Sequence, residues 1–66
     1  MPKKYREVRS ALTEAGWSLV RQRGSHDVWA HPDRAERIVV AGKGSDTVPA
    51  GTLSSIRRAT SLENLR

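Results

Sequence analysis

The stretch Arg21-Gln22-Arg23-Gly24-Ser25-His26 puts an imidazole directly after two guanidiniums and a glycine turn. Histidine takes and gives protons near neutrality. Arginine grips phosphate through a planar fork that lysine does not reproduce. Cutting an RNA phosphodiester without a metal needs a base for the attacking 2′-hydroxyl or water and an acid for the leaving 5′-oxygen. It also needs cations for the charge gathering on phosphorus. His26 suits either proton role, and Arg21 and Arg23, alternating onto one strand face, suit the phosphate. Gly24 supplies backbone shape and lets a phosphate come close. Ser25 either orients that phosphate or the imidazole, or bonds its own local backbone. The plainer uses stay open as well: a histidine that only starts a strand, and arginines that only keep the chain solvated. Lys3, Lys4 and Lys43 are candidates for unspecific contact with a nucleic-acid backbone.

Those side chains need elements to hold them. Tyr5, Val8, Leu12 and Ala15 form one stripe at helical spacing, which predicts a helix over 4–15 closed by Gly16. Residues 17–23 change to a strand pattern, Trp17 and Leu19 on one face and Ser18, Val20 and Gln22 on the other. Gly24-Ser25 reads as a two-residue hairpin turn, 26–31 as the return strand, 32–35 as a second turn and 36–41 as a β-branched third strand. In the return strand Trp29 alternates with Asp27 and His31, and His26 with Val28 and Ala30. Trp29 is expected in the core, although on an open face it would stack on an unpaired base. His31, before Pro32, reads as structural or solvent-facing. Residues 42–46 form a loop, flexible by composition. A second helix follows through Leu53, Ile56 and Ala59, capped by Thr47 or the Asp46 side chain, and Ser61 caps a last short turn over 62–65.

The order is helix, three-stranded meander, helix. Short connections make the strands antiparallel and bring both helices to one face of the sheet, leaving the other to solvent. This α+β layout, α-β-β-β-α, is that of double-stranded RNA-binding domains.

Sixty-six residues suffice for a single domain, residues 1–66, with a small core. There is no cysteine, so disulfides and thiolate metal sites are excluded. His26 and His31 lack a third ligand at defined spacing, so neither a metal nor another cofactor is expected. No apolar run is long enough to span a bilayer, which points to a soluble, cytoplasmic protein. The formal charge is +5, and four of those five units fall within residues 1–23. A polyanionic partner follows from that balance. Neither helix reads as one that would enter a DNA groove.

Gly16-Trp17, Arg21-Gln22-Arg23-Gly24-Ser25-His26, His31-Pro32-Asp33 and Gly51-Thr52-Leu53-Ser54-Ser55-Ile56 fall in one particular order and spacing. In both, the chain resembles the HicA-type mRNA interferase toxins, over roughly residues 5–60. The resemblance implies a toxin of a toxin–antitoxin system that cleaves single-stranded mRNA and is neutralised by a HicB-like antitoxin. It implies His26 as the catalytic residue, and DNA contact, if any, only through the antitoxin complex. The chain departs from the pattern after the third strand, where many relatives read Pro-x-His and this one reads Ala41-Gly42-Lys43. Two alternatives accompany this reading: a non-catalytic RNA-binding module, and a degenerate toxin kept as an antitoxin partner.

Overall fold

The computed structural model describes residues 3–62. Its elements are α1 (Tyr5–Glu14), β1 (Ser18–Arg23), β2 (His26–His31), β3 (Arg34–Ala41) and α2 (Ala50–Thr60). The strands form one antiparallel sheet in the order β1-β2-β3. Tyr5, Val8 and Leu12 of α1 and Leu53 and Ile56 of α2 meet Trp29, Ile38 and Val40 of the sheet, with Trp17 and Val48 closing the cluster. Trp29, Ile38 and Val40 share one sheet face, so both helices cover that face and the other is open. Val39, on the open face, stays 60% exposed. The expected α-β-β-β-α arrangement is therefore the observed one.

β1 departs from simple alternation. Continued from Trp17 and Leu19, a strict period of two would carry Arg21 and Arg23 onto the core side. A bulge between Leu19 and Arg21 intervenes, with Leu19 opposite Trp29 and Arg21 opposite Val28. One extra residue, Val20, resets the phase. Arg21 and Arg23 thereby join the open face, and Gln22, expected on the side of Ser18 and Val20, lies opposite Asp27 toward the helices.

Three further expectations are corrected. The third strand starts at Arg34, so Pro32-Asp33 alone makes the second turn. Residues 42–48 are pinned rather than loose: the Tyr5 and Arg6 amides donate to the Asp46 and Gly44 carbonyls at 3.0 and 3.2 Å, and the Val48 amide donates to Lys3 at 2.8 Å. The first-turn amides of a helix lack partners inside it, and here this loop supplies them. α2 is capped by neither Thr47 nor Asp46. Its N-cap is Pro49, whose carbonyl accepts from the Leu53 amide at 2.9 Å. The reason is the same pinning: Thr47 bridges to Lys4 and takes a 3.4 Å hydrogen bond from its ammonium, so it cannot fold back over α2. Ser61 closes α2 in the left-handed conformation. Of the turn expected over 62–65, only Leu62 is described, and it packs against the core; residues 63–65 lie outside the described residues.

Candidate functional site

His26 opens β2 immediately after the turn. Gly24 adopts φ 60°, the left-handed value that a first-position hairpin residue needs and that glycine takes without steric cost. The His26 side is exposed, whereas the next residue, Asp27, is buried. The imidazole thus belongs to the open face, in a row with Arg23 on one side and Ala41 on the other. The adjacent row is Arg21, Val28 and Val39. Directly opposed residues of antiparallel strands stand about 5 Å apart at Cβ. Arg23 is therefore within reach of anything bound at His26, and the methyl side chain of Ala41 leaves space there.

The backbone under His26 is held from behind by Arg9, which lies off the Tyr5, Val8, Leu12 stripe of α1 and is not among the sequence candidates. Its Nε pairs with Asp27 Oδ2, and its Nη2 donates to the carbonyls of Gly42 at 2.6 Å and Ser25 at 3.2 Å. One guanidinium so binds the residue before His26, the residue after it, and the residue next to its cross-strand partner Ala41. The Asp27 side chain is 2% exposed. A carboxylate that deep requires a charge partner. Among the described residues Arg9 is its only side-chain partner. The signal for this pair was present: Asp27 shares a strand face with Trp29, so a buried Trp29 implies a buried Asp27. Gly42 completes the arrangement, because a Cβ there would come within 2.3 Å of the Tyr5 ring.

The second histidine has a different position and different bonds. His31 Nδ1 accepts from the Asp33 amide at 3.0 Å, Nε2 lies 3.2 Å from the Ala15 carbonyl, and the ring packs on Trp17. Accepting at Nδ1 and donating at Nε2 is the pattern of one neutral tautomer. His26 and His31 are at opposite ends of a six-residue strand, roughly 16 Å apart at 3.3 Å per residue. They cannot act on one phosphate.

Among the remaining sequence candidates, Gly24, Ser25 and Lys43 come together. They line a groove of about 490 Å³ at the end of the sheet beside α1, with Arg9, Gln22, Gly42 and Gly44. Lys3 and Lys4 do neither: they lie along residues 47–48, away from the sheet rows and outside that lining. Trp29 is 6% exposed and is core, not a stacking platform on the open face. Among the described residues no three of His, Cys, Asp and Glu converge as a metal site, and no helix is long and apolar enough to cross a membrane.

An α-β-β-β-α domain with one open sheet face, basic along β1 and carrying a free imidazole, is a small α+β protein of the double-stranded-RNA-binding-domain type. The chain belongs to the HicA toxin family: the family model for the HicA toxin of bacterial toxin–antitoxin systems matches residues 5–62. None of the curated proteins compared with it matches.

Proposed function

We propose that this toxin is a metal-independent endoribonuclease that cleaves single-stranded mRNA, with His26 as general acid or base. The observation that carries this reading is the His26 row: an exposed imidazole beside Arg23, with Arg21 two residues along the same face. An RNA phosphate bridged by the two guanidiniums would sit against the imidazole. In one half of the reaction His26 removes a proton from the attacking oxygen as the bond to phosphorus forms. In the other the 5′-oxygen leaves with a proton, and the arginines balance the extra negative charge between the two. His31, bound through both ring nitrogens, is left for structure, so water serves as the second proton carrier.

The same face suits inhibition by a HicB-like antitoxin. A chain laid over it would cover His26, match the arginines with acidic groups and bury Val39. Because the antitoxin would bind only the folded toxin, it would also raise the toxin's apparent stability.

The test is cleavage of a labelled mRNA in chelator by the wild type and His26→Ala, with RNA binding followed in parallel. Loss of cleavage by at least about a hundredfold with binding retained is expected. Equal, salt-sensitive binding with no cleavage by either protein would replace this reading with an RNA-binding module or a degenerate toxin.

A further inference from the structure

The groove beside the turn is not part of the His26 row, although a single dipeptide, Gly24-Ser25, separates the two. We propose that it binds one unpaired nucleotide of RNA next to the phosphate held at His26, with Gln22 contacting the base and Lys43 the adjoining phosphate. This rests on the ribonuclease reading and adds to it the path of the strand beyond the histidine.

Position is the first argument. The rim between the open face and the groove is Gly24, and a Cβ there would meet no other atom within 4 Å. The space off Gly24 is open to a strand that leaves His26 and turns around the hairpin. The second argument is size: about 490 Å³ lies inside the range of roughly 300–1,000 Å³ usual for small-ligand sites.

The third argument is the chemistry of the lining. The charge of Arg9 is matched by Asp27, and its Nη2 donates to two carbonyls. Lys43 is then the groove's one cation without an ion-pair partner among the described residues, enough for one phosphate and too little for a polyphosphate. Gln22 and Ser25 make no side-chain hydrogen bond among the described residues. A glutamine amide offers a donor and an acceptor together, the pair that matches a base edge. In paired RNA the Watson–Crick edge is occupied and the major groove is too deep and narrow for a side chain, so the edge offered to Gln22 is that of an unpaired nucleotide. Three glycines form much of the remaining wall, so backbone amides and carbonyls replace bulky side chains.

The fourth argument is independent of the cavity. Strand alternation separates the tripeptide Arg21-Gln22-Arg23 into two functions, and the β1 bulge sets its phase so that both arginines take the His26 face and the glutamine between them the groove side. One strand passing around the turn would meet all three.

The experiment is an NMR titration of the ¹⁵N-labelled full chain with fully 2′-O-methylated oligoribonucleotides, which offer no 2′-hydroxyl nucleophile. The expected result is saturable shifts at the Gly24, Ser25, Gly42 and Gly44 amides and the Gln22 side-chain amide, together with shifts at Arg23 and His26. Gln22→Ala and Lys43→Ala change exposed side chains, so both should fold, and each should weaken binding roughly tenfold. Shifts confined to the sheet face, with both variants binding as the wild type does, would overturn the groove and leave the ribonuclease reading standing. No shift with any RNA would overturn both. Groove shifts produced equally well by inorganic phosphate alone would make it an anion site and overturn the nucleotide.

Discussion

Arg9 and Asp27 are where single side chains bear most on the candidate site. Their pair lies behind the sheet, away from the phosphate held at His26, yet it fixes the backbone on both sides of that residue. Removing one member of a buried pair leaves the other charge unpaired, at a cost of about 3–5 kcal/mol. Arg9 is 21% exposed, so solvent softens the loss and the lower end applies. Arg9→Ala is therefore expected to lower unfolding stability by about 3 kcal/mol in a denaturant titration. Arg9→Met combined with Asp27→Leu, which removes both charges, should recover much of that loss. A double variant no more stable than Arg9→Ala would show that the carbonyl contacts, not the charge pairing, dominate.

Among the elements, β1 is the one whose detail decides function. It is an edge strand with all six residues exposed, and burial therefore does little to fix its register. The bulge does that work by allowing Leu19 to face Trp29 while Arg21 faces Val28. Deleting Val20 should close the irregularity without moving Arg21 or Arg23 off the His26 face. We expect that deletion to keep the helical and strand content in circular dichroism and to bind RNA within about threefold of the wild type, since the phosphate contacts that set affinity are retained. Loss of binding in a folded deletion variant would mean that Val20 or the local twist contacts RNA itself. The 42–48 segment shows the opposite relation between composition and behaviour. Two glycines, a serine and an aspartate suggest a loose loop, yet its carbonyls complete the first turn of α1 and hold Gly42 against Tyr5.

For the whole molecule, the ribonuclease reading turns on how few cations would face the RNA. The net charge is +5, but Arg9 is paired and Lys4 is bonded to Thr47. Arg21 and Arg23 on the His26 face and Lys43 in the groove are the phosphate contacts of this reading. Three contacts to a single strand give a slope of about −2 in log K against log salt. Replacing Arg21 and Arg23 together by alanine should reduce that slope to about −0.7 and leave stability within roughly 0.5 kcal/mol, because both are surface residues. An unchanged slope would place the RNA somewhere other than the His26 face.

Much of this protein follows from short-range pattern. The Tyr5, Val8, Leu12 stripe, the Gly24-Ser25 turn and the β-branched third strand each state their element locally, and alternation within β2 assigns His26 to one face and Trp29 to the other. Pattern therefore gave the α-β-β-β-α order and the candidate histidine. What it did not give lies in contacts between distant residues. Arg9 meets Asp27 across 18 residues and Gly42 across 33, and no local preference records such a meeting. The phase of β1 was hidden for a related reason. A bulge is settled by the strand it pairs with, and one extra residue inverts every side chain beyond it. Sequence alone named the candidate residues for the proposed chemistry. The tertiary structure decided which of them share a face, because packing both helices on Trp29, Ile38 and Val40 left the opposite sheet face open, and strand pairing set His26, Arg21 and Arg23 together on it.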